Sequence, residues 1–356
     1  MRELLSQLLR GTPLTFDQAE GAFTDIMQGA ADAVQTGALL TLLAVREPTV
    51  EELHGAALVL RRHVVAIDAP EGVIDTCGTG GVSSCLFNIS TTAAIVAAAC
   101  GAPVAKHGNR SVTSRSGSSD VLRVLGVNIE TTPEQAARCL REAGICFAYA
   151  PRHHPAMRHV GPIRQALGFA TLFNLLGPLT NPAGARRQVV GTRSPELADK
   201  LLEVLIRLGA QRTLVVVGSD PRLGTLCDIS VTGPTRVAEF DGAANSARQF
   251  TLQPEELGLK RHASAGGLEV GETKRGGLEI RSAEESATRV QEVLAGAPGA
   301  ARDIVLANAA AALWVAGLVE SLPAGVARAG RAIDSGDAGR TLERLIRWSN
   351  AASNSR

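Results

Sequence analysis

DTCGTGGVSSCLFNISTTAAIVAAACGAPVAKHGNRSVTSRSGSSD, residues 75–120, contains two loops of small residues, and each follows a short apolar run. The first unit passes from residues 73–74 through a glycine-rich loop, residues 77–81, into an alanine-rich helical pattern, residues 92–100. Glycines let backbone N–H groups approach phosphate oxygens, and a helix N-terminus adds unpaired N–H groups and the positive end of its dipole. This order of strand, loop and helix predicts an anion site.

The second unit carries positive charge and hydroxyl groups. Apolar residues 103–105 lead into Lys106 and Arg110, and four serines and one threonine follow within residues 111–118. Two cations beside a row of hydroxyls suit a multiply charged phosphate ester. The third glycine of a dinucleotide fingerprint is replaced by Ser83, and the spacing of a nucleotide P-loop is absent. The two loops together favour a phosphate-ester site over simple turns between strands and helices.

Composition is that of a globular protein with room for two domains, since 45% of the 356 residues are hydrophobic and 20% are charged. The net charge is +1 without a basic or acidic run, which suggests neither nucleic acid nor an anionic membrane surface as a partner. The six cysteines form no C-x-x-C pair, so reduced and mostly buried thiols are expected. No apolar run approaches ~18 residues, and we expect a cytoplasmic protein.

Apolar periodicity divides the chain into two regions with different sequence patterns. Residues 1–67 show helical patterns only, with capping-box sequences that start at Thr15 and Thr49. From Val73 onward, short apolar runs alternate with helical patterns, which is typical of a parallel or mixed sheet covered by helices. The predicted strands are 73–75, 103–106, 145–150, 188–191, 213–218 and 236–240, and the predicted helices of this part are 91–100, 119–124, 133–143, 195–208, 301–316 and 338–349.

Residues 151–187 interrupt this alternation, and we expect the stretch near 165–187 to return to the helical domain. The apolar faces of the amino-terminal helices could pack on each other or on a second subunit, and the sequence leaves that choice open. The predicted division is a helical domain of residues 1–70 with the returning stretch 165–187, an α/β domain of residues 71–164 and 188–349, and a frayed tail of residues 350–356.

Five motifs, CGTGG, FNIST, KHGNR, HHPAMRHV and FNLLGPLTNPA, occur in this order. With them the chain resembles the anthranilate phosphoribosyltransferase family, from the amino-terminal helices to about Gly233 and more weakly beyond. The resemblance implies an α/β fold of the nucleoside phosphorylase and class II phosphoribosyltransferase type. In that fold a small helical domain accompanies a larger α/β domain, whose central mixed sheet is flanked by helices.

The resemblance also implies an activity in tryptophan biosynthesis. Phosphoribose would pass from phosphoribosyl pyrophosphate to the amine of anthranilate, with release of pyrophosphate, on a homodimer joined through the helical domain and with Mg2+ as cofactor. The transition state has oxocarbenium character, so the protein must stabilise the leaving pyrophosphate and position the amine. No catalytic nucleophile is expected.

The family's ligand contacts map onto residues of all five motifs. The contacts implied for phosphoribosyl pyrophosphate are Gly78, Gly80, Gly81, Asn88, Ile89, Ser90, Thr91, Lys106, Arg110, Ser114 and Ser118. Those implied for anthranilate are Gly78, His107, Asn109 and Arg164. Those implied for Mg2+ are Ser90, Asp228 and, as a poor ligand, Cys227. Zinc is disfavoured, because the adjacent His153 and His154 would point to opposite faces of a strand and no further ligand lies at a suitable spacing.

Five positions depart from the family pattern. Val82 replaces the aspartate of GTGGD, Leu86 replaces a threonine before FNIST, and Ala170 replaces an arginine. The acidic pair that holds Mg2+ aligns with Cys227 and Asp228, beside an insertion near residues 221–224, so one carboxylate is lost and the other is shortened, and a thiol is a poor ligand for a hard cation. The changes lie on the pyrophosphate and metal side and leave the acceptor side largely intact.

Three interpretations therefore remain, and we favour an anthranilate phosphoribosyltransferase with altered metal handling. The second is a paralogue that uses another aromatic acceptor. The third is a non-catalytic relative that binds nucleic acid or a protein, against which the low net charge and the joint presence of Lys106, Arg110 and Arg164 both count. Pyrimidine nucleoside phosphorylases, a related fold family, are disfavoured by HHPAMRHV and FNLLGPLTNPA.

Overall fold

A mixed sheet forms the centre of the computed structural model, which describes residues 1–80, 86–109, 115–264 and 278–352. In the described chain its strands are β1 (Ile74–Gly78), β2 (Val104–Gly108), β3 (Ile145–Tyr149), β4 (Arg187–Gly191), β5 (Arg212–Asp220), β6 (Gly224–Leu226), β7 (Thr235–Asp241) and β8 (Ser246–Leu252). They lie in the order β3-β2-β1-β4-β5-β7-β8, with β6 also paired to β5. The five strands from β3 to β5 are parallel, whereas β6, β7 and β8 are antiparallel to their neighbours.

Helices surround this sheet and form a separate group at the amino terminus. The amino-terminal group is α1 (Arg2–Leu9), α2 (Phe16–Gln28), α3 (Ala33–Arg46) and α4 (Val50–Arg62). The helices that follow are α5 (Ile89–Ala99), α6 (Ser118–Val124), α7 (Pro133–Ala143), α8 (Ala150–His153), α9 (Gly161–Leu167), α10 (Phe173–Leu176), α11 (Pro195–Arg207), α12 (Ala283–Leu294), α13 (Ala300–Val315), α14 (Leu322–Asp334) and α15 (Asp337–Asn350). Short 3-10 helices lie at Pro155–His159, Gly177–Leu179 and Pro254–Leu257.

The predicted capping boxes start two of the amino-terminal helices. Thr15 accepts a hydrogen bond from the backbone of Gln18 at the start of α2, and Thr49 does the same with Glu52 at the start of α4. The carboxylate of Glu52 is fully buried and forms an ion pair with Arg46, which ties α3 to α4. These contacts satisfy helix N–H groups that would otherwise lack partners.

The sheet separates two apolar cores, as the alternation of side chains along a strand requires. On β5, Leu214 and Val216 pack into the core that includes α5 and α13. Val215 and Val217, which point the other way, pack into the core that contains α11 and the amino-terminal helices. Residues of α10 share this second core. The boundaries of the two domains stay a prediction.

The prediction of a mixed sheet with flanking helices is confirmed, and each of the six predicted strands and six predicted helices corresponds to an observed one. β6, β8, α12 and α14 are further elements that the sequence did not indicate. β8 lies at the edge of the sheet and is mostly exposed, so it lacks the apolar alternation of a buried strand. None of the helices in the described part of the chain has the length and apolarity to span a bilayer.

Candidate functional site

A cleft of about 680 Å³ opens where β1 and β2 end. In a parallel sheet this edge, beyond the carboxyl ends of the strands, is the usual place for a ligand. Thr91 does not line the cleft, and Gly81, Arg110, Ser114 and Val82 lie outside the described residues. The predicted site residues that line the cleft are Gly78, Gly80, Asn88, Ile89, Ser90, Lys106, His107, Asn109, Ser118, Arg164, Cys227 and Asp228.

Two glycines shape the chain at this end of the cleft, one by its backbone conformation and one by a close approach. Gly80 has a φ of 64°, which few other residues adopt. A side chain at Gly191, on the neighbouring strand β4, would lie 1.7 Å from the carbonyl oxygen of Cys227. The absence of that side chain lets the segment of Cys227 and Asp228 pass over β4 and reach the cleft.

The N-terminus of α5 faces this loop without a side-chain cap. Asn88, at the N-cap position, uses its side chain instead to hold two other segments. Its Oδ1 accepts hydrogen bonds from Ser116 Oγ at 2.8 Å and from Ser286 Oγ at 2.7 Å. Asn88 therefore ties the second small-residue loop and α12 to the start of α5. Thr91, one turn later, donates to Ser118 Oγ at 3.3 Å and supports a residue that lines the cleft.

Lys106 extends beneath the β1 loop and is only 2% exposed. Its ammonium donates to the carbonyl oxygen of Thr76 and, at 3.3 Å, to Ser90 Oγ. Burial lowers the pKa of Lys106, while the nearby charge of Asp75 opposes that effect. An ammonium has three hydrogens, so one donor remains for a ligand in the cleft.

Two neighbouring groups, Asp228 and Cys227, face the same end of the cleft. Burial raises the pKa of Asp228 to about 7, and the positive charge of Lys106 opposes the shift. Burial also raises the pKa of the Cys227 thiol to about 12, and its Sγ lies 3.9 Å from the carbonyl oxygen of Gly80. Asp228 is thus the only acidic residue among the described residues of the cleft.

Mg2+ takes oxygen ligands and usually keeps several waters, with one or two carboxylates and substrate phosphates completing its shell. Asp228 and Ser90 supply suitable oxygens on adjacent walls. The neutral thiol of Cys227 does not fit this chemistry. No group of three or more His, Cys, Asp or Glu side chains in the described ranges is arranged to hold a metal. The residues present fit a magnesium ion that shares its ligands with a phosphate substrate.

Two histidines form the opposite wall, and their hydrogen bonds define their tautomers. Burial lowers the pKa of His107 and lowers that of His154 to about 3, which favours the neutral form of each ring. The carbonyl oxygen of Gly177 can only accept, so His107 Nδ1, 2.9 Å away, carries the proton. His107 Nε2 is then an acceptor, and His154 Nε2, at 3.2 Å, donates to it. This leaves His154 Nδ1 without a proton.

Arg164 lies on the same wall. Its Nη2 donates to Asn174 Oδ1 at 3.4 Å, and its guanidinium lies 5.4 Å from the centre of the Phe173 ring. Burial alone lowers the pKa of Arg164, and no carboxylate of the described residues forms an ion pair with it. A partly buried cation that no described carboxylate neutralises favours an anionic ligand.

His154 and Asn174 are cleft residues that the sequence did not single out as ligand contacts. The available signal was their membership in HHPAMRHV and FNLLGPLTNPA. The argument against zinc assumed that His153 and His154 lie in a strand. This assumption is wrong, since His153 ends α8 and His154 follows it. Of the departures, Leu86 lines the cleft, whereas Ala170 is exposed outside it.

Comparison with known proteins supports the family resemblance along nearly the whole chain. Residues 70–339 match the glycosyl transferase family, a/b domain, and residues 2–64 match its helical bundle domain. An anthranilate phosphoribosyltransferase of Rubrobacter xylanophilus is 48% identical over 350 residues, which cover 98% of this chain and 97% of the relative. One from Methylorubrum extorquens is also 48% identical and covers 98% of both chains.

Solved structures of anthranilate phosphoribosyltransferases also superpose on this chain. The anthranilate phosphoribosyltransferase of Thermus thermophilus superposes with a TM-score of 0.84 at 38% identity and covers 98% of this chain and 99% of its own. The enzyme of Saccharomyces cerevisiae, solved in complex with PRPP and Mg, gives a TM-score of 0.83 at 27% identity and covers 98% of both chains. The resemblance carried by the five motifs is confirmed, and the chain belongs to the anthranilate phosphoribosyltransferase family.

Proposed function

We propose that this protein transfers phosphoribose from phosphoribosyl pyrophosphate to the amine of anthranilate, releasing pyrophosphate, in tryptophan biosynthesis. One observation carries the proposal: a single cleft has a glycine loop, a helix N-terminus and a buried lysine on one side, and on the other an arginine that pairs with no described carboxylate, beside two neutral histidines. The first side suits a phosphorylated sugar. The second side suits an aromatic carboxylate.

The donor half of the cleft, which we define as Gly78, Gly80, Ser90, Lys106 and Asp228, would hold phosphoribosyl pyrophosphate. The backbone N–H groups at Gly78, Gly80 and the first turn of α5 would present the positive ends of their dipoles to the phosphates. The remaining hydrogen of Lys106 adds a charge-assisted bond. Asp228 and Ser90 would hold Mg2+, which when bound neutralises part of the charge of the leaving pyrophosphate. The other predicted donor contacts, Gly81, Asn88, Ile89, Thr91, Arg110, Ser114 and Ser118, stay part of the proposal.

The acceptor half, which we define as His107, Asn109, His154, Arg164 and Asn174, would hold anthranilate. Arg164 pairs with the carboxylate and so orients the ring. The neutral histidines offer a hydrogen-bond acceptor for the amine without adding a positive charge that would repel the oxocarbenium-like carbon. The amine nitrogen then attacks the anomeric carbon directly, and no covalent intermediate with the protein is required.

We also propose a cytoplasmic homodimer that associates through the amino-terminal helices. Leu9 on α1 is 74% exposed, and Val34 and Val45 on α3 are 81% and 83% exposed. α1 and α3 are in contact, so these apolar side chains lie on neighbouring helices. Large exposed apolar groups that occur together favour an interface between subunits.

Loss of anthranilate fluorescence on mixing with phosphoribosyl pyrophosphate and Mg2+ tests the activity. We expect decay that requires all three components. Calorimetry should show that Lys106→Ala weakens phosphoribosyl pyrophosphate binding by about tenfold or more while anthranilate binding changes little, because a charged hydrogen bond contributes roughly 1.5–3 kcal/mol. The exposed Lys260 provides the control, and Lys260→Ala should bind both substrates like the wild type.

Two results would contradict this proposal. Turnover with a different aromatic amine but not with anthranilate would favour the paralogue. Equal weakening of both substrates by Lys106→Ala would place the lysine outside the donor half.

A further inference from the structure

Asp75 on β1 is a fully buried carboxylate that does not line the cleft. It takes part in none of the ion pairs found among the described residues. Its Oδ1 accepts from the backbone N–H of His107 at 3.1 Å, and its Oδ2 accepts from Asn181 Nδ2 at 2.8 Å. A buried carboxylate is costly unless both oxygens are hydrogen-bonded, and here each bond leads to a segment that shapes the acceptor half.

Asn181 is the second member of this arrangement and also lies outside the cleft. Its Nδ2 donates to Asp75 Oδ2 and to the carbonyl oxygen of Ala105, both at 2.8 Å. Its Oδ1 accepts from the backbone N–H of Ala183 at 2.8 Å. Because donors and acceptors all have matching partners, the orientation of the amide is fixed. Asn181 therefore connects its own segment to both β1 and β2.

A second connection lies four residues earlier in the same segment. The carbonyl oxygen of Gly177 accepts from His107 Nδ1 at 2.9 Å, and the carbonyl oxygen of Pro178 accepts from Gln188 Nε2 at 2.8 Å. In this segment, which ends at Asn181, the residues Gly177, Pro178 and Thr180 line the cleft. The position of the cleft wall relative to the strands thus depends on Asn181 and Gln188, which do not line the cleft, and on His107, which does.

We propose that Asp75 and Asn181 are positioning residues for the acceptor half, holding residues 177–181 at the distance from β1 and β2 at which Gly177 fixes the ring of His107. The inference rests on the proposed function for its kinetic consequence. His107 is held twice, at its backbone by Asp75 and at its ring by Gly177. When residues 177–181 move, the proton on His107 Nδ1 loses its acceptor. The bond between His107 and His154 then loses the tautomer on which it depends.

Kinetics separates positioning from general stabilisation. We expect Asn181→Ala to raise the KM for anthranilate by about fivefold or more, the effect of one misplaced hydrogen-bonding group, while the KM for phosphoribosyl pyrophosphate stays within about twofold. The control is Ser349→Ala, which removes the buried acceptor of the Asn128 N–H at the far end of the molecule. That variant should lower the melting temperature without changing either KM.

An exchange of the two side chains tests the contact itself. Asn181→Asp alone places two buried carboxylates side by side and should be severely impaired. Adding Asp75→Asn restores a donor opposite an acceptor at this contact but not the donor to the carbonyl oxygen of Ala105, so the double variant should recover part of the loss in the KM for anthranilate. A double variant no better than Asn181→Asp, or equal KM increases for both substrates in Asn181→Ala, would overturn the inference.

A measurement on the unliganded protein distinguishes failure of the inference from failure of the proposed function. Nitrogen chemical shifts of 15N-labelled histidine, assigned with His107→Gln, report which ring nitrogen carries the proton. We expect His107 protonated on Nδ1 in the wild type and a mixture of tautomers in Asn181→Ala. If the wild type transfers nothing to anthranilate while the tautomer still changes, the proposed function alone fails. If the tautomer is unchanged, the positioning role fails.

Discussion

The donor and acceptor halves of the cleft are built in different ways. In the donor half, the glycines at the end of β1 and the N-terminus of α5 line the cleft, and Lys106 is fixed by a carbonyl and one hydroxyl. In the acceptor half, side chains contact one another, as His107 does with His154 and Arg164 with Asn174. A backbone N–H group is present whatever the side chain is. A backbone site can therefore accept replacements that a network of side chains cannot.

The departures from the family pattern follow this difference. Leu86 and Cys227 line the cleft, and the resemblance to the family assigns both positions to the pyrophosphate and metal side. The acceptor half retains His107 and Arg164 with complementary partners. Lys106 and Asp228 are exceptions in the donor half, because their proposed roles depend on charge, and Asp228 has no acidic substitute among the described cleft residues.

Asp228→Asn should have the largest effect. The change keeps the shape but removes the only acidic group of the described cleft, and we expect kcat/KM to fall by roughly a hundredfold or more, the scale of losing a key electrostatic contact. The matched control is Asp220→Asn, since the carboxylate of Asp220 accepts from the backbone of Arg222 and Leu223 and does not line the cleft. Turnover that survives Asp228→Asn but fails in Asp220→Asn would move the metal site to Asp220.

Arg164→Ala tests the side-chain half. A guanidinium that pairs with no described carboxylate should pair with that of the substrate, so we expect the KM for anthranilate to rise at least about tenfold while that for phosphoribosyl pyrophosphate is nearly unchanged. Arg152→Ala, at an exposed residue that pairs with Glu130 outside the cleft, should leave both values unaltered. If Arg164→Ala binds anthranilate like the wild type, the acceptor lies elsewhere or is another molecule.

Cys227→Asp tests whether a second carboxylate in the donor half strengthens the binding of Mg2+. The pKa of the thiol is raised to about 12, so the wild-type side chain gives no negative charge to a cation. An added carboxylate should lower the half-saturating Mg2+ concentration by about fivefold, the worth of one modest charged contact. Cys227→Ser, a neutral oxygen of similar size, separates charge from ligand hardness and should give a smaller change. Identical Mg2+ titrations for all three proteins would show that residue 227 does not contact the metal.

Much of the fold could be predicted from local pattern. A buried parallel strand such as β5 has a continuous apolar run at its centre, and helices such as α4 begin with capping sequences, so short windows of sequence identify them. β8 could not be found in this way, because an exposed edge strand is stabilised by pairing with β7 rather than by its own apolar residues. Pairing between distant segments leaves no local signal.

The site was predictable in its composition but not in its hydrogen bonds. The motifs identified Lys106 and His107, yet nothing in the sequence indicates that Lys106 donates to Thr76 or that His107 meets Gly177. Those contacts join residues 30 and 70 positions apart, and they exist only once β1, β2 and residues 177–181 are assembled. His154 was missed for the same reason, since its importance comes from contact with His107.

The remaining expected effect concerns stability in acid rather than catalysis, and it depends on the protonation of His154 in the acceptor half. The pKa of His154 is lowered to about 3, mainly by burial, from an ordinary value of 6.5. Between these values the unfolded chain binds a proton that the folded chain refuses, so the free energy of unfolding decreases as the pH falls below about 6.5. Between pH 7 and pH 5, this ring should cost about 1–2 kcal/mol of stability.

His154→Gln should remove that share of the pH dependence, as measured by urea denaturation at pH 8 and at pH 5. At pH 8 the imidazole is neutral in both states, so the difference between variant and wild type reports lost packing and hydrogen bonding alone. The change in that difference between pH 8 and pH 5 reports the free energy of proton binding to the His154 ring. An unchanged difference would mean that His154 gains its proton inside the folded protein, and the acceptor half would then present a cation where the tautomers described above require a neutral ring.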